Sequence, residues 1–77
     1  MDILQKLREI LAEVLPEADL SAVTEDTRLG DTLGIDSLKM LQLMILTEDA
    51  LHVRFPANAR FETVGEVAAF IRSFPKD

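Results

Sequence analysis

Ser37 is the residue on which chemistry is most readily built in this chain. It stands in the run Leu33-Gly34-Ile35-Asp36-Ser37-Leu38, where a polar stretch gives way to a long apolar one. A serine becomes a nucleophile when a base sits beside it and donors await the oxyanion. Neither is in view here. The chain has no cysteine, and its single histidine is His52, roughly four helical turns further on if the intervening residues are helical. Asp36 cannot replace a base and the group that orients it. A hydroxyl displayed without a base is suited to being modified by another enzyme. The plain alternative is a helix cap, because Asp and Ser are both favoured at the N-cap. Asp36 would also complement the helix dipole.

A second group of residues could bind rather than react. Leu38, Leu41 and Ile45 lie at i, i+3 and i+7, on a face next to Gln42, Glu48 and Asp49. Met40, Leu43, Met44, Thr47 and Leu51 form another stripe of the same segment and suit the core. One small bundle rarely buries both. The second stripe is core by default; the first is either overflow core or a docking face. His52 is expected as a solvated residue at a helix end, where a cation suits the dipole.

Periodicity sets the helices that carry these residues. Ile3, Leu7, Ile10 and Val14, widened by Leu4, Leu11 and Leu15, predict an amphipathic helix over 2–15, with Asp2 as N-cap and Pro16 as its stop. Residues 16–36 read as one long acidic loop, in which Glu17, Asp19, Glu25, Asp26, Asp31 and Asp36 face only Arg28. Its apolar residues, Leu20, Val23, Leu29, Leu33 and Ile35, would pin it across the helices, with a short helical turn near Leu20–Val23. A loop this long in a small domain is often functional. The second helix is predicted over 37–51. Phe55-Pro56 breaks the chain, and a short helical turn is expected over 57–61. Thr63-Val64-Gly65-Glu66 reads as a capping box opening a last helix over 64–73. That helix turns Val64, Val67, Ala68 and Ile71 inward, with Phe70 or Phe74, and Pro75 stops it. Gly65 in its first turn is a mild penalty. The fold class is therefore all-α: a small irregular four-helix bundle of three principal helices and one short one, with a long first loop.

Composition narrows the function classes. The 77 residues carry 14 acidic and 8 basic side chains, for a net charge of −6. Such a domain is repelled by phosphate backbones and anionic lipid, which disfavours nucleic-acid and membrane binding. No apolar run approaches the ~20 residues of a membrane span. The N-terminal run Met1-Asp2-Ile3-Leu4-Gln5-Lys6 lacks the order of a signal peptide, so the cytoplasm is the default compartment. Without cysteine there is no disulfide framework and no thiolate metal site. Any thioester chemistry would need sulfur from a cofactor. One domain over 1–77, starting at Met1 and ending just past Pro75, is expected to be a free-standing protein, with an excised domain of a larger synthase as the alternative; a monomer is expected.

The ordered set is more specific than any part of it. An amphipathic helix, a long acidic loop, Leu-Gly-x-Asp-Ser-Leu, a long apolar helix, Phe55-Pro56 and Phe61-x-Thr63-Val64-Gly65 together resemble the acyl carrier protein family over nearly the whole chain. The resemblance implies a 4′-phosphopantetheine arm, donated by coenzyme A, on Ser37. It implies that Asp36 helps a phosphopantetheinyl transferase hold its metal ion and orient the serine. It also implies a carrier with no catalysis of its own, whose partners are that transferase and acyl-loading, condensing and acyl-processing enzymes with basic patches. Leu38, Leu41, Gln42, Ile45, Glu48 and Asp49 are the expected docking residues. The chain departs from carriers of fatty-acid synthesis in having Lys39 and Gln42 at usually acidic positions and Thr47 at a usual core leucine. That shifts the expected pathway toward a specialised one of polyketide type. An aminoacyl or peptidyl cargo, and an unmodified helical adaptor, stay open as alternatives. Met40 and Met44 also leave open an interior that adapts to a bound chain.

Overall fold

Each apolar stripe ends up on a helix that begins where a side-chain oxygen can take a free N–H of the first turn. The computed structural model describes residues 2–74. Its helices are α1 (Ile3–Val14), α2 (Ser37–Leu51) and α3 (Val64–Ser73). Asp2 accepts from the Gln5 N–H at 3.2 Å, Asp36 from the Lys39 N–H at 2.9 Å and Thr63 from the Glu66 N–H at 3.1 Å. Caps of this kind contribute about 1 kcal/mol each. At the other end of α2, His52 adopts a left-handed conformation (φ 57°, ψ 43°), and its N–H donates to the Glu48 carbonyl. That geometry closes the last turn, usually with glycine or asparagine. The stop assigned to Pro75 lies outside the described residues.

α1 packs on α2 and on α3. Leu7 and Leu11 of α1, Leu43 of α2, and Val64 and Val67 of α3 meet Leu29 of the first connection around a central void too tight for water. The close fit matters because dispersion contacts are lost wherever a gap remains. α2 contributes only Leu43, Thr47 and Leu51 to the fully buried set. Thr47 is wholly buried, and its hydroxyl donates to the Leu43 carbonyl at 2.7 Å. This bond satisfies the one polar atom that the helix brings into the core.

The first connection, residues 15–36, is pinned as its apolar residues suggest. Val23, Leu29 and Ile35 are buried, while Leu20 and Leu33 are half-buried. The helical turn expected near Leu20–Val23 is a single turn closed by the Val23 N–H on the Leu20 carbonyl. Just before it, the Ser21 hydroxyl and N–H both donate to Asp19, which holds that carboxyl below the ordinary aspartate value of 3.8. Arg8 of α1 reaches across to donate to the Val23 carbonyl at 2.8 Å.

The connection is also sewn to the start of α3 by backbone bonds. The Leu29 N–H donates to Glu62, the Val64 N–H to Thr27 and the Gly65 N–H to Glu25, at 2.9, 2.9 and 2.8 Å. Gly65 is therefore more than a weak helix former. A Cβ there would sit 2.8 Å from the Glu25 carbonyl oxygen, so its missing side chain allows the crossing. Glu66 departs from the expected capping box: its carboxylate accepts from the Glu62 N–H at 2.7 Å rather than from that of Thr63.

The second connection holds a single turn and no further helix among the described residues. Residues 57–61 form no helix; the Ala59 N–H donates to the Pro56 carbonyl at 3.0 Å, closing one turn. So short a segment cannot offset the cost of helix nucleation. Its flanking side chains are fixed instead by an aromatic cluster. Phe55 stacks on Phe70 with ring centroids 4.9 Å apart, and Phe61 meets both rings edge-on. Phe74 packs against the core, whereas Phe70 belongs to this cluster. Among the described residues the architecture is all-helical, with three helices and two pinned connections.

Candidate functional site

The sequence around Ser37 sets its position step by step. Gly34 takes a positive φ of 71°, a conformation that glycine adopts without strain. Its N–H donates to the Gly30 carbonyl, and the Ile35 N–H donates to the Leu29 carbonyl at 3.0 Å. The Ile35 side chain is buried. This anchor fixes the backbone just before α2. Asp36 then takes the N-cap position with extended geometry, and its Oδ1 holds the Lys39 N–H. Ser37 is left as the first helical residue and is exposed. Of the two residues able to cap, Asp36 does so, and the cap leaves the Ser37 hydroxyl unused.

A groove of about 580 Å³ opens beside that hydroxyl. Ser37 and Asp36 line it with Met40, Leu41 and Met44 on the α2 side and Ala57, Ala59 and Arg60 on the second connection. Met44 thus corrects the expected core stripe. It is half-buried on the groove wall, while Leu43, Thr47 and Leu51 point fully inward and Met40 packs partly on the core. Met40 and Leu46 add partly buried contacts to the core, and the flank carrying Met44 faces the groove. Sequence spacing gave no sign of Arg60 as a neighbour of Ser37. The turn at Pro56–Ala59 brings it there, and such a turn leaves no periodic trace.

The outer stripe of α2 is uncovered. Leu38, Leu41 and Ile45 are 64%, 54% and 54% exposed. Gln42 and Asp49 are exposed beside them. Glu48 differs from its expected place on the rim. It is half-buried, and one carboxylate oxygen accepts from the Phe55 N–H at 2.8 Å. Lys39 is half-buried as well, with its ammonium 3.5 Å from the Val14 carbonyl at the end of α1. Its charge is drawn toward the C-terminal end of a helix dipole and away from the outer face.

The single histidine is not among the residues that line the groove beside Ser37. His52 sits at the opposite end of the 15-residue α2, roughly 22 Å away at the helical rise per residue. Among the described residues there is no cluster of three His, Asp or Glu side chains able to hold a metal ion. None of their helices is long and apolar enough to cross a membrane.

The family described as "Phosphopantetheine attachment site" matches residues 5–71. The chain is similar to an acyl carrier protein of Borreliella burgdorferi (strain ZS7), with 37% identity over 73 residues, covering 92% of this chain and 90% of the relative. An acyl carrier protein of Caulobacter vibrioides (strain NA1000 / CB15N) is 38% identical over 72 residues, covering 91% of each. A meromycolate extension acyl carrier protein of Mycolicibacterium aurum is 36% identical over 78 residues, covering 99% of this chain and 79% of the relative.

Proposed function

This chain belongs to the acyl carrier protein family, and we propose that Ser37 is the residue to which its 4′-phosphopantetheine arm is attached. The observation that carries this reading is the division of labour at the start of α2. Asp36 caps the helix, so the Ser37 hydroxyl stays exposed on a rigid turn. The residues present fit the group: an accessible primary hydroxyl, the free N–H groups of a first helical turn that favour a phosphate, and a groove with room for a flexible chain. When bound, the arm supplies a terminal thiol that carries acyl groups as thioesters, a function this cysteine-free chain cannot perform itself. The protein's share is to position the attachment point and to be recognised.

Asp36 has a second role in this reading. One of its oxygens caps the helix, and the carboxylate as a whole is exposed to a transferase and its metal ion. The partner face is Leu38, Leu41 and Ile45, edged by Gln42 and Asp49. Glu48 contributes less, because its carboxylate is engaged by Phe55. Acidic residues of the first connection steer basic partners toward the site, and the apolar stripe holds the complex. Lys39 and the neutral Gln42, which leave two usually acidic positions without a carboxylate, favour partners other than the usual enzymes of fatty-acid synthesis, and so a specialised pathway of polyketide type. The domain over 1–77 acts as a non-catalytic, cytoplasmic monomer.

Intact mass measurement after incubation with coenzyme A and a broad-specificity transferase tests the attachment. The wild-type protein should gain one phosphopantetheine mass, and Ser37→Ala should gain none. A wild-type protein that stays at its original mass, or a Ser37→Ala protein that is still modified, would overturn the assignment.

A further inference from the structure

We propose that Arg60 binds the phosphodiester that joins the arm to Ser37, and so seats the first part of the arm in the groove between α2 and the second connection. The inference rests on Ser37 being the attachment residue, and it assigns a role to a side chain outside the Asp-Ser-Leu run.

The charges around Ser37 support it. Modification places an anionic phosphodiester next to the Asp36 carboxylate. Among the residues that line the groove, Arg60 is the cation. Lys39 is nearer in sequence, but its ammonium turns to the Val14 carbonyl. None of the ion pairs among the described residues engages Arg60. Its sole hydrogen bond there is a long one, 3.3 Å, to the carbonyl of Ala59. The guanidinium is thus an uncommitted fork of donors across the groove that the serine hydroxyl also lines. Guanidinium groups pair with phosphate oxygens through short, charge-assisted and often bidentate bonds.

The rest of the groove suits the flexible chain beyond the phosphate. Met40 and Met44 offer adaptable apolar surface. Ala57 and Ala59, small residues, keep the opposite wall low. The interior void among Leu7, Leu11, Leu29, Leu43, Val64 and Val67 is too tight even for water. An arm held at its root by Arg60 would lie along the groove and leave Leu38, Leu41 and Ile45 free for partners.

Nuclear magnetic resonance on the unmodified and fully modified proteins tests this. The wild-type Arg60 Nε–H resonance should move on attachment of the arm. The phosphorus resonance of modified Arg60→Ala should move from the wild-type position toward that of the modified protein unfolded in urea. Arg60→Lys should fall between the two. An Arg60 Nε–H signal that is the same before and after modification, with a phosphorus resonance unmoved by Arg60→Ala, would overturn the proposal. Arg60→Gln serves if the alanine variant does not fold, and the wild-type comparison needs no variant. Mass spectrometry of the same samples separates the two claims: absence of the arm from the wild-type protein counts against Ser37 as the attachment residue, whereas an attached arm with no Arg60 response counts against Arg60 alone.

Discussion

Leu41 and Leu43 are two positions apart on α2 and meet opposite conditions: Leu41 is 54% exposed and Leu43 is 2% exposed. The same holds for the stripes they belong to. Leu43, Thr47 and Leu51 close the core against α1, while Leu38, Leu41 and Ile45 face outward uncovered. Apolar content alone does not separate the two faces. The inner one even contains a threonine. What separates them is the neighbouring chain. α1 and the first connection cover one side, and no described segment covers the other. An uncovered row of large aliphatic residues in a small acidic protein is costly to keep unless something else uses it. Burial and exposure are thus divided between the two sides of a single helix.

The division can be broken most severely from inside. Leu43→Ala should cost about 2–5 kcal/mol, because the closely fitted centre cannot collapse fully into the space left; urea unfolding at neutral pH measures it. A loss comparable to that of an exposed site would mean that the inner face is not the stabilising one. Next in size is Gly65→Ala, which acts on the crossing that holds the first connection. The added Cβ meets a backbone oxygen, and strain of this kind costs about 1–3 kcal/mol. Its effect should appear in thermal unfolding and as faster amide exchange at Leu29 and Val64. Wild-type exchange at both amides would show that the crossing relaxes freely.

Asp36→Ala comes third. Loss of the cap should reduce stability by about 1 kcal/mol, while Asp36→Asn, which keeps an acceptor, should retain most of it. If the transferase needs the carboxylate itself, the asparagine protein will be stable yet slowly modified; equal modification rates would leave Asp36 as a cap alone. The smallest change in stability is expected for Leu41→Ala, within about 0.5 kcal/mol of wild type as for other exposed positions. Its effect should fall on partner binding, read by titration with a loading or condensing enzyme. Unchanged affinity for every partner tried would remove the functional meaning of the outer face.

Much of this was legible in the sequence, for a physical reason in each case. Helical period and local caps are properties of neighbouring residues, so α2 and α3 begin and end where spacing places them, and α1 differs by its two flanking residues. Spacing separated Leu38, Leu41 and Ile45 as a second stripe but left open whether they were overflow core, and the structure leaves them exposed. What escaped were contacts between distant segments. Gly65 looked like a mild weakness until the Glu25 carbonyl appeared beside it. Glu48 looked like a rim charge because nothing in its spacing points to the Phe55 N–H. Met44 fits a core stripe by period and lies on the groove wall by tertiary placement. Residues 57–61 read as a short helical turn after the Phe55-Pro56 break, but they hold one turn flanked by an aromatic cluster that spacing does not reveal. Arg60 and Arg8 were invisible as neighbours of the site and of the first connection, since both act across long stretches of chain.

The three backbone bonds that sew the first connection to the start of α3 also bear on how fast the chain folds. They join Leu29 to Glu62, Thr27 to Val64 and Glu25 to Gly65, partners separated by nearly half the sequence. A bundle of three short helices would ordinarily fold through local contacts and do so quickly. Here the loop before Ser37 is complete only when α3 has arrived. If Ser37 is the attachment residue, partly folded chains should therefore offer the transferase a poorly formed target, and modification should favour molecules that have finished folding.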